Sequence, residues 1–181
     1  IAGARTLTVG PGGILGTGGA DFLVGGSGRG ERPIFAPGAG STMTIADIYS
    51  VQSSGGNKTL LQLDSAGATV EQLVWNGSVA AANSVAVTER NAIRVVGAED
   101  VMTINGRITG TNIGKTGAGL LVLTNATNNF NDLIVGAGTV RLESVGNAGQ
   151  ASQGGDGSLI VFGNFADTGT LEFTGSGTTT N

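Results

Sequence analysis

The chain contains no cysteine and no histidine. The first absence excludes disulfides, thiolate metal sites and thiol catalysis. The second removes the commonest general base and the usual transition-metal ligand, and with them any Ser-His-Asp triad within these residues. Proline is limited to 3 residues, so neither a collagen repeat nor a Pro-rich spacer is present. Charged side chains make up only 12% and aromatics 4%, so solvent faces must be built from Thr, Ser, Asn and Gly. Such surfaces are common in exported β-rich proteins and unusual in cytosolic enzymes. No apolar run approaches the roughly 20 residues of a membrane-spanning helix.

Basic charge is also sparse. Nine basic against 13 acidic residues leave a net charge of −4, and Arg5, Arg29, Arg32, Lys58, Arg90, Arg94, Arg107, Lys115 and Arg141 are scattered. A nucleic-acid partner requires the opposite sign, clustered, and is not expected. What the chain does have is 34 glycines beside 39% hydrophobic residues, too much apolar content for a disordered chain. Its 181 residues suit a single domain. It opens on Ile1 without a leader pattern and reads as a processed chain or a segment of a longer one.

The apolar residues alternate in short segments bounded by Gly, Asn and Ser, the signature of β-strands. These include Thr6-Leu7-Thr8-Val9, Thr42-Met43-Thr44-Ile45, Leu60-Leu61-Gln62-Leu63, Ser84-Val85-Ala86-Val87 and Val101-Met102-Thr103-Ile104. They continue as Leu120-Leu121-Val122-Leu123, Thr139-Val140-Arg141-Leu142, Leu159-Ile160-Val161-Phe162 and Thr170-Leu171-Glu172-Phe173. No window sustains a helical period, and only the alanine-rich stretch 78–83 would accommodate a short helical turn. Ile104 to Leu123 and Leu123 to Leu142 are steps of 19 residues, and Leu142 to Phe162 is 20. Ile45 to Leu63, Leu63 to Val87 and Val87 to Ile104 step by 18, 24 and 17, and the step of 36 from Val9 to Ile45 implies a further strand at Phe22-Leu23-Val24. A period near 20 with no helix implies units that must stack to bury their apolar faces.

A parallel β-helix, or β-solenoid, with rungs of about 19–20 residues answers this pattern. Rungs about 4.8 Å apart would give a rod about 40 Å long. A β-sandwich would need regularly spaced hairpin signals, and Asn76-Gly77 and Asn105-Gly106 do not recur at a fixed period. The solenoid is expected as a single unit over 1–181, less regular over 1–57 and clearest over 101–175.

Several motifs could carry chemistry. Gly18-Gly19-Ala20-Asp21-Phe22-Leu23-Val24-Gly25-Gly26-Ser27-Gly28 approaches the calcium β-roll repeat. Nine residues after Asp21, however, stands Gly30, and nine further stands Ala39. A single carboxylate cannot supply the six to eight oxygens that Ca²⁺ takes, so Asp21 is only a weak metal candidate. Gly110-Thr111-Asn112-Ile113-Gly114-Lys115-Thr116 is one residue short of a phosphate loop and precedes a strand rather than a helix. Gly154-Gly155-Asp156-Gly157-Ser158 reads as a turn before a strand. Paired carboxylates for glycan cleavage could come only from Glu99-Asp100, or from Asp47, Asp64 and Glu89 along one flank. Arg29-Gly30-Glu31 is one methylene away from an integrin-binding tripeptide. Asn57-Lys58-Thr59, Asn76-Gly77-Ser78 and Asn125-Ala126-Thr127 match glycosylation acceptors but read as turns beside Thr-rich strands. Asn125, Asn128, Asn129 and Asn131 fall in one turn and suit a ladder of stacked amides along the rod. Trp75 reads as a core or corner filler rather than a sugar platform. No catalytic residue, cofactor site or firm metal site emerges, and no enzymatic activity is expected.

One region is more specific. Ile113-Gly114-Lys115-Thr116-Gly117-Ala118-Gly119-Leu120-Leu121-Val122-Leu123-Thr124-Asn125, then Asn128-Asn129-Phe130, then Val135-Gly136-Ala137-Gly138-Thr139-Val140-Arg141-Leu142 closely resembles the autotransporter-associated β-strand repeat. That unit runs Lys-Thr-Gly-x-Gly-x-Leu-x-Leu, an Asn/aromatic turn, a short strand and Gly-Thr-Leu. Here Asn131-Asp132 replaces the usual Thr-Gly, Leu120 a Thr, and Val140 a Leu. About 35 residues match well, 157–162 and 169–173 echo half the unit, and the first hundred share only its rhythm.

The resemblance implies a right-handed β-helical passenger of a type V secreted protein or giant bacterial surface protein, extracellular or on the cell surface. Its expected role is structural or adhesive: a rod, fibre or stalk for attachment, matrix or biofilm assembly. The expected partners are further copies or continued chain end to end, and host or matrix glycans or proteins. The outer membrane would be reached only through segments outside these residues. The competing function is a polysaccharide-cleaving or glycan-binding module on the same scaffold.

Overall fold

A computed structural model describes residues 5–9, 14–16, 33–37, 42–45, 51–52, 59–63, 72–75, 79–81, 92–163 and 167–176. Short strands follow one another. They begin with β1 (Arg5–Val9), β2 (Ile14–Gly16), β3 (Pro33–Pro37), β4 (Thr42–Ile45), β5 (Val51–Gln52) and β6 (Thr59–Leu63). Next come β7 (Gln72–Trp75), β8 (Val79–Ala81), β9 (Ala92–Val95), β10 (Val101–Ile104), β11 (Ile108–Gly110) and β12 (Ile113–Thr116). The last six are β13 (Leu120–Leu123), β14 (Asn129–Phe130), β15 (Leu133–Val135), β16 (Gly138–Leu142), β17 (Ile160–Phe162) and β18 (Gly169–Phe173). Among the described residues there is no helix. The alanine-rich stretch at 78–83, expected to allow a helical turn, instead contributes strand β8.

The strands form three sheets, and every pairing between described strands is parallel. Sheet 1 runs β1-β3-β6-β9-β12-β15-β17, sheet 2 runs β2-β4-β7-β10-β13-β16-β18, and sheet 3 runs β5-β8-β11-β14. From β4 to β15 the chain visits the sheets in the fixed order 2, 3, 1. Parallel neighbours cannot be joined by hairpins, so each strand pairs only after the chain has travelled through at least one other sheet. The arrangement is compatible with a β-solenoid.

The constant step near 20 residues holds in only part of the stack. In sheet 2, Val101 pairs with Leu120 and Leu120 with Thr139, two steps of 19. In sheet 1, Ile113 pairs with Leu133, a step of 20. Elsewhere the steps are longer: Thr42 to Gln72 is 30, Gln72 to Val101 is 29, and Gly138 to Gly169 is 31. The sequence markers conceal this because two sheets share one apolar alternation. Ile45 lies opposite Trp75 in sheet 2, whereas Leu63 lies opposite Val95 in sheet 1. Those markers are therefore not successive rungs of one face. The strands expected at Phe22-Leu23-Val24 and Ser84-Val85-Ala86-Val87 lie outside the described residues.

Columns of side chains follow from the pairing. In sheet 2, Leu73, Met102, Leu121 and Val140 stack in register, and all are buried. Trp75 and Ile104 form the neighbouring column, which Leu123 extends. Trp75 is fully buried, so it is a core residue. Val79 and Ile108 from sheet 3, and Ile93, Ile113, Leu133 and Val135 from sheet 1, complete one continuous apolar core. Alternate residues of a strand face opposite sides. Arg141 and Glu172 accordingly pair on the outer face of sheet 2 at 2.9 Å, each about two-fifths exposed. A pair so wetted contributes about 0–1 kcal/mol.

Candidate functional site

The end of the stack formed by β17 and β18 differs from its interior. By register Ile160 stands on Leu133 and Phe162 on Val135 in sheet 1. In sheet 2, Leu171 stands on Val140 and Phe173 on Leu142. The four supporting residues are fully buried. Yet Phe162 is 53% exposed and Phe173 41%, and neighbouring Leu159 is 58% exposed. Phe162 and Phe173 thus occupy core columns over which no described strand lies. Bared core positions beside strand edges that no described strand pairs form a surface that favours strand addition.

Sheet 3 ends differently. After β14, residues 143–159 fold over its edge. The amides of Ser152, Asp156 and Gly157 donate to the carbonyls of Asn128, Phe130 and Asn131 at 3.2, 2.9 and 3.0 Å. Asn128, fully buried, clamps this loop from below. Its Oδ1 accepts the Ile108 amide at 2.7 Å, and its Nδ2 donates to the Gln153 carbonyl at 3.0 Å. Gln153 is itself buried. Its Oε1 accepts the Glu143 amide, and its Nε2 donates to the Thr124 carbonyl at 3.1 Å. Ser152 Oγ closes the turn on the Gly155 carbonyl at 2.7 Å. A Cβ on Gly155 (φ 90°) would lie 2.7 Å from the Phe130 ring, so only glycine allows the loop this close.

A third feature is Lys115. It sits in the sheet 1 core column, opposite Ile93 below and Val135 above, and is fully buried. Its Nζ donates to the carbonyls of Thr116 (3.0 Å), Gly117 (2.6 Å) and Ala137 (3.0 Å) at the corner between sheets 1 and 2. Burial lowers its pKa from the ordinary 10.5 to about 7.

The residues that the sequence singled out are distributed as follows. Asp21, Asp47, Asp64, Glu89 and the Arg29-Gly30-Glu31 triplet lie outside the described residues. Glu99 and Asp100 do not converge. Glu99 is exposed, while Asp100 is buried and accepts the Gly97 amide at 3.0 Å within its own turn. Gly110 to Thr116 supplies strands β11 and β12, with the lysine turned inward instead of toward an anion. The turn at 154–158 belongs to the loop sealing sheet 3. The Asn129-Phe130 turn is strand β14, paired with β11. Asn125 reaches along the stack to the Asn105 carbonyl at 3.0 Å, while Asn128 ties neighbouring levels together. Among the described residues no group of three or more acidic side chains is placed to hold a metal ion.

The bared end and the sealing loop were not legible beforehand. Phe162 and Phe173 alternate like any core pair, and the glycines at 154, 155 and 157 were the only hint of a close-packed loop. No protein-family model, curated protein or solved structure matches this chain.

Proposed function

We propose that the chain is a structural or adhesive extracellular β-solenoid, a right-handed parallel β-helix that serves as a rod, fibre or surface stalk for attachment or matrix assembly. One observation carries this reading: a single column of paired residues runs through all of sheet 2, from Ile14 through Thr42, Gln72, Val101, Leu120 and Thr139 to Thr170. A ladder of that kind, backed by one continuous core, gives a stiff axis whose stability adds up level by level. Right-handed winding is the strongly preferred connection between parallel strands of one sheet. The Lys-Thr-Gly-x-Gly-x-Leu resemblance at 115–121 supports a surface-displayed passenger of the type V kind. The partners are then other copies or continued chain end to end, and host or matrix glycans or proteins held by weak, repeated contacts along the faces.

Negative-stain electron microscopy of the protein, with and without a calcium chelator, tests this. Uniform elongated particles that survive chelation are expected. Compact particles, or rods that collapse when calcium is removed, would overturn the structural reading in favour of a discrete ligand-binding module with Asp21 as a metal ligand.

A further inference from the structure

The corner between β10 and β11 is three residues long, Asn105-Gly106-Arg107. It sets an exposed asparagine carboxamide directly before a glycine. The nitrogen that follows an asparagine lies within reach of its carboxamide carbon, and glycine offers that nitrogen without a Cβ to obstruct the approach.

The surroundings favour that attack. Asn105 Oδ1 accepts the Thr124 hydroxyl at 2.7 Å, and a donor there stabilises the negative charge that develops on this oxygen as the carbon is attacked. The amides of Asn105 and Gly106 both point at the Trp75 carbonyl, at 2.8 and 3.4 Å. The first is a firm bond. The second is longer than usual, so the Gly106 nitrogen is only weakly engaged. The Asn105 carbonyl is held in turn by Asn125 Nδ2 at 3.0 Å. The corner of the next level supplies a contrast. Asn125 also receives a hydroxyl on its Oδ1, from Thr127 at 2.7 Å, but Ala126 follows it, and its Cβ crowds the same approach.

We propose that Asn105-Gly106 is a self-modifying site, at which the chain converts Asn105 to aspartate and isoaspartate through a cyclic imide with Gly106. The Gly106 nitrogen bonds to Asn105 Cγ, the Cγ–Nδ2 bond breaks, and the amide hydrogen departs with that nitrogen as ammonia. One water then opens either imide C–N bond. Water is the only co-reactant, and nothing is oxidised or reduced. Either product adds a negative charge to the corner, and isoaspartate also inserts a methylene into its backbone. Thr124 and Asn125 of the next level both end on Asn105, so the conversion alters a link between the levels of β10 and β13. The inference does not depend on what the rod attaches to.

The sequence makes the test clean. Trypsin cuts after Arg94 and Arg107, and in the peptide 95–107 Asn105 is the only carboxamide side chain. The other Asn-Gly pair, Asn76-Gly77, lies outside the described residues and falls in a different peptide. The protein is incubated at mildly alkaline pH, folded and in urea, then digested and analysed by mass spectrometry. In the folded sample the peptide 95–107 should gain the mass of an acid and split into two chromatographic forms, at least as fast as in urea. The peptide 116–141, which carries Asn125, should stay unchanged. Thr124→Val should slow the conversion roughly tenfold in the folded protein and leave it unaltered in urea, whereas Thr124→Ser should keep the natural rate.

An unchanged 95–107 peptide in the folded protein, or conversion in urea alone, would overturn the proposal. So would a Thr124→Val chain that converts at the natural rate, since the fold would then contribute nothing at this corner.

Discussion

Lys115 occupies a place that the rest of its column gives to Ile93, Val135 and Phe162. Its three carbonyl partners match the three donors of an ammonium, yet burial prevails and holds the pKa near 7. The linkage has a definite sign. Below pH 7 the side chain is charged in both the folded and unfolded states, and above about 10.5 it is neutral in both. Between these values the unfolded chain holds a proton that the folded chain has released. Raising the pH through this window therefore favours folding, at up to about 1.4 kcal/mol per unit. Urea midpoints measured from pH 7 to 10 should rise for the natural chain, and Lys115→Met should remove that slope. The same corner explains a glycine. A Cβ on Gly138 (φ 64°) would lie 2.7 Å from Lys115 Nζ and 2.6 Å from the Gly119 carbonyl oxygen, whereas one on Gly149 (φ 82°) meets nothing within 4 Å. Gly138→Ala should cost roughly 2–4 kcal/mol, from strain and overpacking together. Gly149→Ala, with strain alone, should cost about 1–2 kcal/mol, and chemical denaturation of the two variants tests the difference.

At the scale of elements, the loop at 143–159 substitutes for a strand in sheet 3, and Asn128 is the side chain that joins it to the stack. Asn128→Ala would leave the Ile108 amide and the Gln153 carbonyl without this partner in a buried setting, a cost of roughly 2–4 kcal/mol. Hydrogen exchange at Ser152, Asp156 and Gly157 should accelerate more than at Leu121 in the same variant. Equal acceleration everywhere would mean that the loop is not a separate unit. Only the cleanly alternating strands were legible, and β7, β9, β12, β15 and all of sheet 3 were not among the expected segments. The segments starting at Thr42, Val101, Leu120 and Thr139 alternate cleanly, and the structure places strands on them. Their assignment to levels was not. A 3-residue strand such as β15 (Leu133–Val135) is buried at every position and shows no alternation. Sheets 1 and 2 also present indistinguishable apolar markers, so the chain from Ile45 to Ile104 passed for three steps of 18, 24 and 17 residues where the pairing has two coils of 30 and 29. The burial of Lys115 was not legible for a related reason. A lone lysine in a Thr/Gly-rich segment looks exposed until the pairing with Ile93 and Val135 fixes its direction.

Across the whole molecule, each level touches mainly the levels on either side, so stability is a sum of interfaces rather than a property of one central core. Strand β13 is paired on both sides, by β10 and β16, whereas β18 is paired on one side only among the described strands. Protection should therefore fall from the interior toward the β17–β18 end. The side chains make the same point quantitatively. Leu121 is fully buried within an apolar column, and Leu121→Ala should cost roughly 3–5 kcal/mol through the cavity it leaves. Phe173 is in an equivalent inward position but 41% exposed, and Phe173→Ala should cost about 1–2 kcal/mol in the separate molecule, since much of its surface is already wet. Concentration gives the comparison its edge. Any contact that covers the end adds burial to Phe173 and none to Leu121, so by mass action only the Phe173→Ala penalty should grow as the protein is concentrated. Denaturation midpoints of both variants over a hundredfold concentration range decide it: a diverging Phe173→Ala penalty marks a buried joint, and parallel curves mark an end that stays in water.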